Sequence, residues 1–269
     1  MHGQSLRSTS KSGLARSIDS LTGVRALAAL CVALFHFSGG SDQAQEGRWF
    51  GILPVLRHGY LGVDLFFILS GFILYHVYRD TFSRRIGFAN WALFLKFRFA
   101  RIYPVHLVTM TTMVLFCLAS IAVLKRWPEK VAFGPEVIMA NLLMVHAWIG
   151  APAPNYPAWS ISAEWMMYLV FPVLCGLLAR APAVIDWLIL PACLLAVDLY
   201  GGSHPLLRVT PEFILGIALY KLNERFGFAR RAGVVGGVCA GAALLFAVYL
   251  KPTDSLGLYA GIFGMLIVF

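Results

Sequence analysis

Long apolar runs recur along this chain, and they limit its fold more strictly than any other feature of the sequence. Most are long enough, or nearly so, to cross the ~30 Å hydrocarbon core of a bilayer. They lie at about 21–38, 59–78, 103–124, 162–179, 184–200, 208–222, 233–250 and 256–269. Hydrophobic residues make up 59% of the chain and charged residues 13%, outside the range of soluble globular domains. We therefore predict an all-α fold, a polytopic bundle of transmembrane helices.

A shorter apolar run at 137–150 decides the predicted topology. Its roughly 14 residues would form a helix of about 21 Å, too short to span comfortably. If the run enters the membrane and returns, 15 Lys and Arg residues are cytoplasmic and 7 are outside; if it crosses, the counts are 12 and 10. The positive-inside rule favours the re-entrant topology with a cytoplasmic N-terminus. A short, tilted span is the alternative.

The remaining composition defines the domains and excludes some functions. Residues 1–18 are rich in Ser, Lys and Arg and predict a disordered cytoplasmic leader, followed by one transmembrane domain at 19–269 that stops inside an apolar run. The net charge of +9 is concentrated between the apolar runs, which predicts contact with membrane lipids and not with nucleic acid. All five cysteines lie in apolar runs without metal-binding or redox spacing, so no metal site is predicted.

Ionisable residues interrupt the first two apolar runs, where they are costly and therefore indicate function. In "LTGVRALAALCVALFHFSGG", Arg25 and His36 are eleven residues apart. A helix advances about 16.5 Å over this distance and returns to nearly the same face. Asp64, in "GYLGVDLFFILSGFILYHVYR", is predicted at a depth similar to that of His36, and the glycines of this stretch, Gly59, Gly62 and Gly71, are predicted to permit close approach of another helix. The alternative is that Arg25 contacts lipid phosphates, His36 lies at the interface and Asp64 forms a structural pair.

The basic stretch "KFRFARIYPVH" places Arg98 and Arg101 three residues apart, on one side of a helix near the cytoplasmic face. Two planar guanidinium groups on one face are suited to bidentate binding of phosphate oxygens. The alternative is a topology signal that contacts only lipid headgroups.

Two later stretches carry polar residues on the predicted outer side. In "NYPAWSISAEWMMYL", Ser160 is a candidate N-cap and Glu164 follows in the first turn or just after it, while Trp159 and Tyr168 are interfacial aromatic residues. In "HPLLRVTPEFILGIALYK", the four-residue spacing of Arg208 and Glu212 predicts an ion pair.

Five motifs occur here in the order seen in acyltransferase family three, which this chain therefore resembles. They are Arg25 and His36 with ten residues between them, "GYLGVDLFFILSGFIL", Arg98-x-x-Arg101-Ile-Tyr-Pro, "WSISAEWMMYL" and "RVTPEFILG". Members are integral-membrane enzymes of about ten spans that O-acetylate O-antigen, exopolysaccharide and macrolide sugars. The chain ends within a span, so the resemblance implies a partial family domain.

The resemblance implies a cytoplasmic acyl-CoA donor, most often acetyl-CoA, and a hydroxyl acceptor on the outer side, such as a glycan. Arg98 and Arg101, with Arg25, would bind the anionic nucleotide end of the coenzyme. His36 would act as the base, oriented by Asp64 or Glu164, in direct transfer or through an acyl-histidine. Residues predicted on the acceptor side are Trp159, Ser160, Tyr168, Arg208 and Glu212.

Two other functions are compatible with the same residues. A secondary transporter or flippase for an anionic or sugar-linked substrate would also carry ionisable residues at membrane depth and a short re-entrant segment. A membrane scaffold or sensor would use these charges only for pairing. A transporter would be expected to show an inverted repeat, and the sequence contains no convincing one.

Overall fold

The computed structural model describes residues 23–37, 59–125 and 134–226, which form helices joined by short connections. The helices are α1 (Gly23–Phe37), α2 (Leu61–Phe82), α3 (Phe88–Leu124), α4 (Pro135–Leu142), α5 (Trp159–Arg180), α6 (Ala183–Tyr200) and α7 (Pro205–Phe226), with a 3-10 turn at Tyr156–Ala158 before α5. No strand occurs in these ranges, which confirms the predicted all-α class. The predicted leader at 1–18 and the predicted spans at 233–250 and 256–269 lie outside the described residues.

Four helical segments are long and apolar enough to cross a membrane. They are α2, α3, α6 and the continuous segment Tyr156–Arg180 that contains α5. The first helix, α1, is also apolar but shorter. These segments agree with the predicted transmembrane bundle, and the protein is an integral membrane protein.

The third helix is much longer than its apolar run. It begins at Phe88, and not near residue 103 as the hydropathy of the sequence predicts. Its 37 residues extend about 55 Å, nearly twice the thickness of the hydrocarbon core. Arg98 and Arg101 therefore lie inside a continuous helix. The apolar run at 103–124 marks only the later part of α3, because the first turns of the helix mix basic and aromatic residues and carry no strong apolar signal.

The fourth helix is short, and the chain after it folds back onto α5. With eight residues, or about 12 Å, α4 cannot cross the membrane as a helix, in agreement with the re-entrant interpretation. Ser162 of α5 fixes the following loop: its hydroxyl donates to the Met144 carbonyl (2.8 Å) and accepts from the Ala147 N–H (3.1 Å). The Trp148 indole N–H donates to the Ser162 carbonyl at 2.8 Å.

The chain forms two compact units. In its described part, the first unit contains α1, α2 as far as His76, α6 from its start to Asp198, and α7 from Glu212 onward. The second unit runs from Val77 through α3, α4 and α5 to Ala181, and also contains residues 199–211.

Antiparallel packing of α1 against α2 organises one side of the first unit. The rings of Phe35 and Tyr60 are 5.6 Å apart, and the Arg25 guanidinium carbon lies 5.9 Å from the Phe66 ring centre. Gly62 faces the backbone of Ala28 so closely that a Cβ atom would overlap with it. The small residue thus allows the two helices to approach, as predicted.

Glycines also form the contact between α2 and α7. A Cβ atom on Gly71 would collide with the backbone carbonyl of Phe213, and one on Gly216 would collide with the carbonyl of Ile68. Backbone atoms cannot move aside by changing rotamer, so any side chain here would separate the helices. The close-approach role predicted for Gly71 is confirmed, and Gly216 is its counterpart on α7.

Candidate active site

His36 lies in the last turn of α1 with one ring nitrogen fixed by the helix itself. Its Nδ1 is 2.8 Å from the Val32 carbonyl oxygen. A carbonyl can only accept, so Nδ1 carries the proton and the neutral ring presents its lone pair at Nε2. The side chain is exposed, which leaves Nε2 accessible. The imidazole therefore has the tautomer that a general base requires.

Arg25 occupies the other end of the same helix. The continuous α1 contains both residues, so their separation along the axis is about 16.5 Å. The Arg25 side chain is half-buried, and its guanidinium group lies over the Phe66 ring of α2. Arg25 and His36 thus lie on one continuous helix of the first unit.

Three carboxylates in the described part of the first unit are fully buried: Asp64, Glu212 and Asp186, which is described below. Asp64 lies in the first turn of α2 and Glu212 lies on α7. Asp64 and His36 share no hydrogen bond within the described part of this unit, and the backbone of α1 holds the imidazole through Nδ1. The orienting role predicted for Asp64 or Glu164 stays a prediction. The predicted ion pair between Arg208 and Glu212 stays a prediction.

In the second unit, the Arg98 guanidinium group lies in a cage of aromatic rings. Its carbon is 5.2 Å from the ring centre of Tyr78, 5.6 Å from Phe94 and 5.8 Å from Tyr168. Nη2 donates to the Tyr78 hydroxyl at 3.0 Å, whereas the buried Nε has no hydrogen-bond partner among the described residues. No carboxylate of the described segments forms an ion pair with Arg98. The guanidinium group therefore retains unused capacity for an anion.

Glu164 and Tyr168 belong to the same cluster. The Tyr168 hydroxyl, one turn further along α5, donates a short hydrogen bond to Glu164 Oε1. The sequence placed Arg98 near the cytoplasmic face and Glu164 in the outer layer, but Tyr168 contacts both residues. The predicted separation of Arg98 from Glu164 is not observed in the second unit: Arg98, ten residues inside α3, lies beside Tyr168, which is nine residues inside α5.

The remaining predicted residues of this region differ in exposure. Arg101 is exposed, one turn beyond Arg98, and Trp159 is half-buried at the start of α5. The N-cap residue of α5 is Ala158, so the N-cap role predicted for Ser160 was wrong. Ser160 lies inside the helix and its hydroxyl donates to the Pro157 carbonyl at 2.9 Å, because the preceding 3-10 turn already begins the helical path.

A buried polar cluster beside the loop that follows α4 was not predicted from the sequence. His106 of α3 and His146 of the loop are each 1% exposed, and their nearly parallel rings lie 6.0 Å apart. His106 Nε2 donates to the Asn141 carbonyl at 2.8 Å. His106 Nδ1, both ring nitrogens of His146 and Asn141 Oδ1 have no hydrogen-bond partner within the described segments. Each histidine interrupts an apolar stretch, the same signal that identified His36.

The buried His146 should make stability sensitive to acid. Burial lowers its pKa below the ordinary value of 6.5, and His106 acts in the same direction; contacts with the backbone of Ala158 and Ala140 only partly oppose this. Above pH 6.5 the His146 side chain is neutral in both the folded and the unfolded chain. As the pH falls, the unfolded chain takes up a proton that the folded chain does not, so the free energy of unfolding decreases. We expect melting temperatures in detergent to fall more steeply from pH 7 to 5 in wild type than in His146→Gln; equal slopes would contradict this.

A second feature missed from the sequence is a buried ion cluster in the first unit. Asp186 of α6 is fully buried, and its Oδ1 accepts from Lys221 Nζ at 2.6 Å. Its Oδ2 is 3.6 Å from Nη1 of Arg225, and both Lys221 and Arg225 belong to α7. Lys221 is itself only 4% exposed. Lys221 and Arg225, which the predicted topology counted only among the cytoplasmic Lys and Arg residues, bind Asp186 and so hold α6 and α7 together.

The four cysteines within the described residues are free thiols. Cys117, Cys175 and Cys193 are buried free thiols and Cys31 is an exposed one, while Cys239 lies outside the described residues. Within the part of the chain that the structure describes, no group of three or more His, Cys, Asp or Glu side chains could hold a metal ion.

Comparison with known proteins gives consistent matches. A family model described as "Acyltransferase domain" matches residues 18–268. The acyltransferase MdmB of Streptomyces mycarofaciens is 30% identical over 266 residues, which cover 86% of this chain and 63% of MdmB. The peptidoglycan O-acetyltransferase OatA of Listeria monocytogenes is 23% identical over 174 residues, covering 58% of this chain and 24% of OatA. No solved structure matches the chain.

Proposed function

Because the chain belongs to the acyltransferase domain family, we propose that it is a membrane-embedded O-acyltransferase that moves an acetyl group from acetyl-CoA to a hydroxyl group. The acceptor is a glycan or a similar molecule on the outer side of the bacterial inner membrane, and the N-terminus is cytoplasmic. The relative OatA is a peptidoglycan O-acetyltransferase, which supports a sugar hydroxyl as the acceptor.

The environment of Arg98 is the main support for acetyl-CoA as the donor. A half-buried guanidinium group without a carboxylate partner in the described segments is suited to a phosphate oxygen, which forms strong charge-assisted hydrogen bonds with arginine. Arg101, exposed one turn away on α3, adds a second positive charge. Coenzyme A carries several phosphate oxygens at its nucleotide end, and these two residues would bind them.

His36 is the proposed general base. Its Nε2 lone pair takes the proton of the acceptor hydroxyl while the hydroxyl oxygen attacks the thioester carbonyl carbon. The C–S bond then breaks, and the imidazolium returns the proton to the leaving thiolate of coenzyme A. The bond from Nδ1–H to the Val32 carbonyl holds the ring in the required tautomer throughout. Arg25, about 16.5 Å away on α1, would bind the anionic part of the donor.

Replacing Arg98 with alanine should weaken donor binding by about tenfold to a hundredfold, the loss expected for hydrogen bonds to a charged group. We would titrate the purified full chain in lipid nanodiscs with coenzyme A by calorimetry. Lys96→Ala is the matched control, because Lys96 is an exposed cation two residues earlier, on a different face of α3. Equal losses in the two variants would mean that Arg98 acts only through general positive charge, against the proposal.

Reconstituted vesicles test the whole function. Radiolabelled acetyl-CoA is supplied on the side of the N-terminus, and cell-envelope glycan is supplied on the other side. Recovery of label covalently bound to the glycan supports acyl transfer. Movement of glycan or coenzyme across the bilayer without covalent label would support a transporter or flippase, and absence of both would support a scaffold.

A further inference from the structure

Tyr168 lies between a carboxylate and a guanidinium group that do not pair with each other. Its hydroxyl donates to Glu164 Oε1, and its ring forms one wall of the cage around Arg98. The side chain is only 2% exposed, which leaves little surface for direct contact with a substrate. We propose that Tyr168 is a positioning residue: it holds the Glu164 carboxylate away from Arg98 and so keeps Arg98 available for an anionic donor. This inference rests on the proposed donor site.

The geometry explains why the two charges stay apart. Arg98 is stabilised by three aromatic rings and by the hydroxyl of Tyr78, so it does not need a carboxylate to be accommodated. Glu164 is stabilised by a neutral donor one turn away on its own helix. The Arg98 guanidinium carbon lies 5.8 Å from the Tyr168 ring centre, so the cation is close to the carboxylate's partner.

Loss of the hydroxyl should change this arrangement. In Tyr168→Phe the Glu164 carboxylate loses a hydrogen bond in a partly buried setting, where electrostatic attraction is stronger than in water. The carboxylate is then expected to turn towards Arg98. The resulting ion pair would compete with a phosphate group for the same guanidinium N–H groups.

The test measures the affinity for coenzyme A itself, using the full chain in nanodiscs. We expect Tyr168→Phe to raise the dissociation constant about tenfold, the cost of displacing one competing carboxylate. In the double variant Tyr168→Phe with Glu164→Gln, the neutral amide cannot compete, so the affinity should return to within about twofold of Glu164→Gln alone. A merely structural role of Tyr168 would not be rescued by this second change. Tyr103→Phe, which removes the hydroxyl of a half-buried tyrosine stacked on Phe99, is the matched control.

Several outcomes would overturn the inference. Unchanged affinity in Tyr168→Phe, or a double variant as weak as Tyr168→Phe, would each do so. If Tyr168→Phe fails to fold, the affinity of Glu164→Gln for coenzyme A decides. The inference expects the wild-type affinity. Clearly tighter binding would contradict it, because the Glu164 carboxylate would then already compete for Arg98 in the wild type. A wild-type protein that does not bind coenzyme A would refute the donor site and this inference together. Failure of the inference alone leaves wild-type binding intact.

Discussion

Replacing His36 with alanine should lower the rate of acetyl transfer by a factor of about 10²–10⁴, the usual contribution of a general base. The neutral imidazole presents Nε2 because Nδ1–H is bound to the Val32 carbonyl, and no other atom of residue 36 can take the proton. Affinity for coenzyme A should stay near the wild-type value, because the substitution removes chemistry and not the donor contacts. Single-turnover transfer and calorimetric titration measure the two effects separately.

Phe37→Ala is the control for this experiment. Phe37 is the next residue of α1 and is 90% exposed, so its truncation changes the same turn of the helix without removing a base. We expect transfer by Phe37→Ala within a few fold of wild type. Transfer by His36→Ala that stays close to the wild-type rate would refute the assignment of His36 as the base.

The second large effect concerns stability. Replacing Asp186 with alanine should lower the free energy of unfolding by about 3–5 kcal/mol, the typical cost of removing one partner from a buried ion pair. The carboxylate lies 2.6 Å from Lys221 Nζ, and the lysine side chain is 5% exposed, so its charge would stay buried without this partner. Denaturant titration of the protein in mild detergent, followed by tryptophan fluorescence, measures the change.

Two further variants separate pairing from general disruption. Asp80→Ala removes a carboxylate of the exposed Arg79–Asp80 pair (3.9 Å, with Asp80 95% exposed) and should have little effect on stability. Asp186→Ala combined with Lys221→Met removes both buried charges and should be more stable than Asp186→Ala alone. A double variant as unstable as the sum of the two single changes would show that the pair contributes nothing specific.

Much of the fold was predictable because the bilayer imposes a simple requirement on sequence. Apolar runs of sufficient length correspond to α2, α5 and α6, and the short run at 137–150 overlaps with the eight-residue α4. Gly62 and Gly71 were also interpreted correctly, since small residues inside membrane helices usually mark close contacts. Each of these features depends on one residue or one run at a time.

The errors arose where structure depends on partners. The full length of α3 was not predicted, because its first turns mix basic and aromatic residues and carry no strong apolar signal. The proximity of Glu164 and Arg98 was not predicted, because sequence position does not show that Tyr168 contacts both residues. The pairing of Asp186 with Lys221 joins residues 35 positions apart, on two helices whose rotation the sequence does not specify.

The glycine contact between α2 and α7 has a genetic consequence. Every missense change at a glycine codon adds at least a Cβ atom, and at Gly71 or Gly216 that atom meets a carbonyl oxygen of the opposite helix. Nearly all missense alleles at these two codons should therefore behave as damaging, although neither residue bears a functional group. At Gly176, where an added Cβ would meet its nearest neighbour at an ordinary 3.4 Å, an alanine allele should pass unnoticed.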